Sequence, residues 1–458
     1  VNTSEVKIGA RELPAVTQLF TEPYMVSFLL DNSLGAWWAA RRLSEEDLLN
    51  SQSEEELRRK ASLPGVPLDY LRFVRGEDGR WAPAAGTFDG WPESLKELKV
   101  LDPCCGSGHF LVAALPMLAS MRSEREGLYT QEAVDCVLQD NLHGLEIDPR
   151  CVELAAFALG FAAWRYPGAG GYRTLPEMNL ACSGLAIAAK KEEWLKLAGE
   201  DSNLQIVLDD LYDQFEKAPI LGSLINPKTG LSRGNLLGLK WKDVAPLLVK
   251  AVSRGDLDDE KMEMGVVARG LSKAAALMAR QYQLVITNVP YLARGRQNDF
   301  LKKFGQEHYP DSRRDLATIF LDRCFIYCAD CGSVSLVLPQ NWLFLTSYKN
   351  FRERLLKHND WQMIARLGAQ AFETPMWDFN VQLFLIKKNI THSEVLEFPP
   401  TPENCHMIVV VDVSDLPDAN EKAAILHTIE LNQVGQVQQL KNPDARVIFK
   451  SGISGISL

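Results

Sequence analysis

Three short segments of this 458-residue chain carry residues suited to chemistry, and each follows an apolar, strand-like run. Their glycines let the backbone turn sharply, their carboxylates accept hydrogen bonds, and the last presents an amide beside a proline and an aromatic ring. Each segment is therefore suited to binding a small molecule. The segments are Asp102-Pro-Cys-Cys-Gly-Ser-Gly108, Gly144-Leu-Glu-Ile-Asp-Pro149 and Asn288-Val-Pro-Tyr291.

The first two segments indicate a nucleotide-like ligand. Gly106 and Gly108 allow a close backbone approach, and the free N–H groups of a helix N-terminus follow them. The third glycine of a dinucleotide-binding pattern and the lysine of a P-loop are both missing, so those two sites are excluded. Glu146 ends the next strand, where an acidic residue can accept hydrogen bonds from ribose hydroxyls. Asp148 precedes Pro149 and is also predicted as a helix N-cap.

The third segment suits activation of an amine on a base. Such an amine is a poor nucleophile because its lone pair is delocalised into the ring. The side-chain oxygen of Asn288 and the carbonyl of Val289 can accept its N–H bonds, which favours a pyramidal nitrogen. Pro290 fixes the turn, and Tyr291 offers a flat face on which an extruded base can stack.

The surrounding pattern predicts the elements that position these residues. Strand, helix and strand succeed one another over 99–164, which implies a parallel sheet with crossover helices. Polar, helical sequence over about 186–280 interrupts this order as an insertion. The predicted strands are Lys99–Asp102, Leu142–Asp148, Met178–Cys182, Gln283–Thr287, Ser333–Leu338, Ile364–Leu367 and Val381–Ile386.

Three regions follow from this pattern. Residues 1–95 are predicted to be mostly helical, 96–395 to form the α/β domain with its insertion, and 396–458 to form a linker and the start of another domain. The chain begins with Val1 and stops without a closing element, which predicts a fragment of a longer protein.

Composition restricts the partners and the compartment. The net charge of −10 counts against a compact nucleic-acid-binding module, so DNA contact would need a local basic patch. The loop after Tyr291 supplies one, in which Arg294 and Arg296 are candidates for phosphate contact. Nine cysteines predict reduced thiols in a cytoplasmic protein rather than a disulfide scaffold. Apolar runs are too short for a membrane span.

Over roughly residues 15–395 the chain resembles γ-class DNA adenine-N6 methyltransferases. The likeness is to the methylase portion of type IIG restriction-modification enzymes and of the PglX methylases of BREX phage defence. The family's Thr-x-Pro segment matches Thr21-Glu22-Pro23, its glycine loop matches 102–108, and its catalytic Asn-Pro-Pro-Tyr matches 288–291. The resemblance implies a Rossmann-like sheet that binds S-adenosylmethionine, abbreviated SAM below, and acts on double-stranded DNA.

The resemblance also implies residue roles. Asn288, Val289, Pro290 and Tyr291 would be catalytic. Tyr291 and Phe372 would stack on the flipped base, with Trp377 and Phe379 as rivals to Phe372. Residues 396–458 would begin a target-recognition domain, and further restriction or phage-defence subunits are expected partners. The implied cofactor-binding residues are Thr21, Pro23, Asp102, Pro103, Cys105, Gly106, Ser107, Gly108, Glu146 and Asp148.

Two departures from the family leave alternatives open. Val289 replaces a proline, although it keeps the carbonyl, and no aspartate occurs at 179–183 for the family's contact to the SAM adenine. These departures make a SAM-binding scaffold of a defence complex an alternative role. Cytosine N4 or a protein amide is an alternative acceptor, because its methylation uses a similar Asn-Pro-Pro-Tyr site. No metal is expected. Cys324, Cys328 and Cys331 have iron–sulfur spacing but lie in a predicted helix, where core thiols are favoured.

Overall fold

One large sheet organises the part of the chain that the computed structural model describes, namely residues 20–228, 259–374, 379–390 and 406–449. Within these residues a separate two-stranded hairpin, β1 and β2, precedes the sheet. The strands are β1 Phe73–Arg75, β2 Trp81–Pro83, β3 Val100–Asp102, β4 Leu142–Glu146, β5 Asn179–Cys182, β6 Tyr282–Asn288, β7 Cys328–Pro339, β8 Asn359–Gly368, β9 Val381–Lys388, β10 Met407–Asp412 and β11 Asn432–Gly435.

The sheet order is β5-β4-β3-β6-β7-β9-β8-β10-β11. The strands from β5 to β7 run parallel, whereas β9 is antiparallel to both of its neighbours and β11 is antiparallel to β10. The α/β class with a mostly parallel sheet, expected from the alternating pattern, is confirmed.

Helices cover both faces of the sheet. The described α-helices are α1 Pro23–Leu30, α2 Ala36–Arg42, α3 Glu45–Asn50, α4 Glu54–Ala61, α5 His109–Glu126, α6 Thr130–Cys136, α7 Pro149–Arg165, α8 Lys191–Leu195, α9 Ser202–Phe215, α10 Ala218–Leu221, α11 Asp259–Met278, α12 Asp299–His308, α13 Leu316–Tyr327, α14 Lys349–His358, α15 Ala419–Leu426 and α16 Gln436–Lys441. None of the described helices is both long and apolar enough to cross a membrane.

Two apolar clusters lie on opposite sides of the sheet because successive side chains of a strand point to opposite faces. In β6, Leu284 and Ile286 join the cluster that contains α1, α2, α4, α5 and α7, and Val285 joins the cluster that contains α9, α11, α13 and α14. The helix after β3 and the helix after β6 thus cover different faces. A crevice at the carboxyl ends of β3 and β6 results, which is the usual ligand position in an open α/β sheet.

The C-terminal described residues extend this same sheet. Strand β10 pairs in parallel with β8. Arg72, which is 1% exposed and precedes β1, pairs with Glu54 of α4 and donates to the carbonyls of Leu426 and Ile429, so the N-terminal region contacts residues 426–429 directly. A target-recognition role for residues 396–458 stays a prediction.

Two local predictions differ from the structure. The helix predicted to reach Cys331 ends at Tyr327, because Cys328 pairs with Tyr282 and begins β7. The region 1–95, predicted to be mostly helical, also contains the β1–β2 hairpin, which a backbone turn between Gly76 and Arg80 closes.

Candidate active site

The glycine loop connects β3 to α5 at the carboxyl edge of the sheet. Gly106 and Gly108 have φ of 51° and 90°, values in the left-handed region that favours glycine. Gly108 also approaches Ala155 of α7, where an added Cβ would lie 3.2 Å from the alanine Cβ. The Cys105 amide donates to Leu145 of β4 at 2.9 Å, which fixes the loop against that strand. A side chain at Gly108 would force the loop and α7 apart.

The Glu146 carboxylate ties the loop to the end of β4. Its oxygens accept hydrogen bonds from the backbone N–H groups of Gly106 at 2.9 Å, Ile147 at 2.8 Å and Asp148 at 3.1 Å. A carboxylate offers about four lone-pair sites, so roughly one remains for a ligand hydroxyl. Burial raises the pKa of Glu146, and the three N–H bonds oppose that rise.

Asp148 has a separate structural role. Its carboxylate caps α7 by accepting from the Arg150 amide, with Pro149 in the first turn, as predicted. The Arg150 guanidinium also contacts this carboxylate at 2.6 Å, and its hydrogen bonds lower the pKa of Asp148. Asp148 lines the site, but its oxygens are engaged by its own helix.

The helical insertion forms one wall of the site, a role that its sequence did not indicate. Gly222, with φ of 51°, places Ser223 where its hydroxyl donates to the Pro103 carbonyl at 2.7 Å. Arg323 and Tyr327 of α13 both donate to the Ser223 carbonyl, at 3.1 and 2.5 Å. The Gly222-Ser223 pair, which interrupts a helical stretch, is the sequence feature that could have indicated a turn here. This wall and Glu146 line the same cavity, and none of residues 179–183 lines it.

Two cavities meet at this edge. The larger, of about 730 Å³, is lined by Pro103, Cys104, Gly106, Glu146, Ile147, Asp148, Cys151, Ile220, Leu221, Gly222, Ser223, Leu224, Asn288, Pro290, Leu316 and Phe320. The smaller, of about 370 Å³, is lined by Phe20, Thr21, Asp102, Cys104, Cys105, Gly106, Ser107, His109, Phe110 and Asn288. Asn288 lines both cavities. Ile220 to Leu224, Phe320, Phe20 and His109 are lining residues that the sequence did not single out.

The Asn288 side chain is held from two sides at the end of β6. Its Nδ2 donates to Thr21 Oγ1 at 3.2 Å, and its Oδ1 accepts from the Tyr291 hydroxyl at 3.1 Å. Burial raises the pKa of Tyr291 well above its ordinary value, so the phenol stays protonated and donates. Val289, whose amide donates to Val337 at 3.4 Å, is 1% exposed. The structure brings Asn288, Thr21 and the glycine loop together.

Aromatic rings surround Tyr291 unevenly. Phe379 lies 5.6 Å from the Tyr291 ring centre at 42°. Phe372 is 6% exposed and packs in the cluster on the α1 face, next to Ala371, whose carbonyl accepts from Tyr24. The rival Trp377 lies outside the described residues. Ring contact with Tyr291 thus favours Phe379, and stacking by Phe372 stays a prediction.

The loop after Tyr291 is anchored to the start of α13. Asp315 accepts from the Leu292 amide at 3.2 Å, and the Arg294 amide donates to the Arg314 carbonyl at 2.9 Å. Arg294 and Arg296 are half-buried in a short 3₁₀ turn, and Arg314 is exposed. The backbones of Arg294 and Arg314 are therefore adjacent, and the three cations belong to one basic rim formed by the loop after Tyr291 and the residues just before α13.

The residues present fit SAM. An apolar wall of Ile147, Leu221 and Phe320 suits a purine, and Glu146 suits a ribose hydroxyl. The glycine loop exposes backbone between the two cavities, so a ligand with an adenosine half and a charged half can bridge them. Among the described residues no group of three metal-ligating side chains could hold a metal ion.

Comparison with known proteins agrees with this site. The model of the Eco57I restriction-modification methylase family matches residues 140–372, just over half of the chain. The chain belongs to that family. The DNA-methyltransferase domain of MmeI also matches, over residues 87–168. Family membership confirms the resemblance inferred from the motifs.

Two curated relatives of this chain are much longer than the chain itself. Adenine-specific methyltransferase BrxX of Escherichia coli O9:H4 (strain HS) is 29% identical over 384 residues, which cover 80% of this chain and 30% of BrxX. Adenine-specific methyltransferase PglX of Lacticaseibacillus casei (strain Zhang) is 27% identical over 378 residues, 80% of this chain and 29% of PglX. The chain thus spans about a third of these relatives. A solved DrdV–DNA complex aligns over 93% of this chain and 31% of DrdV, with 12% identity and a TM-score of 0.48.

The buried Asp102 carboxyl gives the site a pH dependence. Burial raises the pKa of Asp102 from its ordinary 3.8 to about 7, although hydrogen bonds from Thr287 and Cys104 lower it. Between these two pH values the folded chain therefore keeps a proton on Asp102 that the unfolded chain has lost. The free energy of unfolding consequently falls as pH rises through this range. Asp102→Asn should raise Tm relative to the parent more at about pH 8 than at about pH 5. Differential scanning fluorimetry without SAM measures this, with exposed Asp415→Asn as the control; an equal Tm difference at both pH values would contradict it.

Proposed function

We propose that this chain transfers a methyl group from SAM to N6 of an adenine turned out of double-stranded DNA. One observation carries the proposal: Asn288 lines both cavities, at the end of the strand beside the glycine loop. An amine that reaches its side-chain oxygen therefore lies next to the place where the charged half of SAM would bind. Proximity of this kind favours direct transfer.

The chain's own residues prepare the amine. Asn288 Oδ1 and the Val289 carbonyl accept its N–H bonds, which draws the nitrogen lone pair out of the ring. Bound SAM supplies an electrophilic methyl on a positively charged sulfur. Transfer of that methyl to the nitrogen would leave the carbon–sulfur electron pair on S-adenosylhomocysteine, and the proton displaced from the nitrogen would pass to solvent. The Tyr291 hydroxyl, now on Oδ1, must yield that position to the base.

The adenine assignment and the biological setting draw on the relatives. BrxX and PglX are both named adenine-specific methyltransferases, and the family is named for restriction-modification. Because the chain spans about a third of these proteins, its target sequence, its partner subunits and its role in restriction-modification or phage defence are part of the proposal. A cytoplasmic setting is proposed with them, since none of the eight described cysteines forms a disulfide.

The DNA contacts are proposed from the rim of the site. Arg294 and Arg296 would bind backbone phosphates, and Arg314 extends the same basic rim. Tyr291 would stack on one face of the flipped base, with Phe372 or Phe379 on the other. The overall charge of −10 makes this local rim the favoured DNA-facing surface.

A methyl-transfer assay tests the proposal. The protein is mixed with tritiated SAM and unmodified mixed-sequence DNA, and the DNA is digested to nucleosides. Label in N6-methyladenine is the expected result. Label in N4-methylcytosine would keep the chemistry and change the base. SAM binding without label in the DNA would favour the scaffold role and contradict the enzyme.

A further inference from the structure

Thr21 contacts the Asn288 amide from a distant part of the chain. Its Oγ1 accepts from Nδ2 at 3.2 Å, and the two residues are 267 positions apart in sequence. Thr21 is 9% exposed, so little water competes for this hydrogen bond. The terminal torsion of an asparagine has a broad, roughly two-fold profile, so neighbours decide which way the oxygen and the nitrogen point.

We propose that Thr21 is a positioning residue that sets the orientation of the Asn288 amide. By accepting from Nδ2, its hydroxyl keeps Oδ1 directed toward the acceptor amine. An amide turned the other way would present N–H groups to the amine N–H groups, and the nitrogen would not be activated. The inference rests on the proposed function, and it gives Thr21 a role beyond lining the cofactor cavity.

The surroundings of Thr21 are rigid enough for this role. Thr21 immediately precedes α1, whose residues Met25 and Phe28 are fully buried against the sheet. The Glu22 carboxylate accepts from the Glu373 amide at 2.8 Å, which ties the start of α1 to the loop after β8. The hydroxyl therefore has a fixed position relative to the end of β6.

Tyr291 alone cannot set the amide. Its phenol oxygen can both donate and accept, so it can pair with either Oδ1 or Nδ2. The Thr21 hydroxyl has the same freedom when isolated, but it retains a proton after accepting from Nδ2. Asp102 lines the same small cavity, and above about pH 7 its carboxylate supplies a negative charge that favours N–H and O–H groups directed toward it. The charge of Asp102 therefore favours the orientation in which Asn288 Nδ2 faces Thr21 and Oδ1 faces away from it.

Two substitutions separate the hydroxyl from the shape of the side chain. Thr21→Val keeps the shape and removes the acceptor, and Thr21→Ser keeps the acceptor. For Thr21→Val we expect kcat for methyl transfer to fall about three- to tenfold, the effect of one hydrogen bond between neutral groups. We expect KM for SAM to change less than about twofold, and Thr21→Ser to retain most of the parental kcat.

A double variant supplies a readout that a purely structural role would not move. If Thr21 acts through the amide, Thr21→Val should cause no further loss of kcat in an Asn288→Ala background. Reduced SAM affinity with unchanged kcat would overturn the inference, as would equal losses in Thr21→Val and Thr21→Ser. Additive losses in the double variant would also overturn it.

Neutron crystal structures of the parent and of Thr21→Val, which locate the amide hydrogens, keep the two proposals distinguishable. A parent that transfers no methyl group would contradict the proposed function. The orientation of the Asn288 amide in the two structures would still show whether Thr21 positions it. We expect Nδ2 to face Thr21 in the parent and the amide to lose that single orientation in Thr21→Val. An unchanged amide in the valine variant would overturn the positioning role.

Discussion

Asn288→Ala should lower kcat for methyl transfer by about 100-fold or more, the usual effect of removing one preorganised group that acts on the transition state. The variant loses the Oδ1 acceptor, and with it the means of drawing the amine lone pair out of the base ring. SAM affinity should stay within about threefold of the parent, because most of both cavity walls is unchanged. Single-turnover methyl transfer and calorimetric SAM binding measure the two quantities.

Asn350→Ala is a matched control for this variant. Asn350 is exposed near the start of α14, so the same change in residue type leaves the site untouched. Its kcat should equal that of the parent. If Asn288→Ala also transfers methyl groups at the parental rate, the side-chain oxygen does not act on the amine and the catalytic assignment is wrong.

Glu146→Ala should reduce SAM affinity about 100-fold. The carboxylate accepts from Gly106, Ile147 and Asp148, so its removal leaves three N–H groups without their acceptor and frees the glycine loop. It also removes the oxygen expected to bind a ribose hydroxyl. Hydrogen bonds to charged groups contribute about 1.5–3 kcal/mol each, so the loss of even one or two accounts for an effect of this size.

Calorimetric titration of SAM tests this, together with thermal unfolding of the ligand-free protein. At saturating SAM, kcat should fall much less than affinity, because the Glu146 carboxylate binds backbone N–H groups of Gly106, Ile147 and Asp148, whereas Asn288 acts on the amine. Glu153→Ala is the control, since Glu153 is exposed on α7 just beyond the cap. A Glu146→Ala protein that binds SAM within about twofold of the parent would contradict both roles of the carboxylate, the binding of a ribose hydroxyl and the shaping of the loop for SAM.

Both predictions concern residues that local sequence was able to identify. Asp102, Glu146 and Asn288 each end a strand, and parallel strands bring their carboxyl ends to one edge of a sheet. Once the alternating pattern indicates a parallel sheet, the meeting of these residues follows. The glycine conformations at 106 and 108 are equally local, because they depend on backbone sterics.

The sequence by itself therefore determined the sheet class, the site edge and the residues at the strand ends, since hydrophobic period and turn chemistry act over a few neighbours. Only the tertiary structure decided which distant segments complete the site. The hydrogen bond from Ser223 to Pro103 spans 120 residues, and that from Asn288 to Thr21 spans 267. A periodic pattern indicates that a face is buried but not what it is buried against. The tertiary structure was therefore needed to place Ser223 against the glycine loop, to pair Thr21 with the Asn288 amide, and to add β10 and β11 to the sheet.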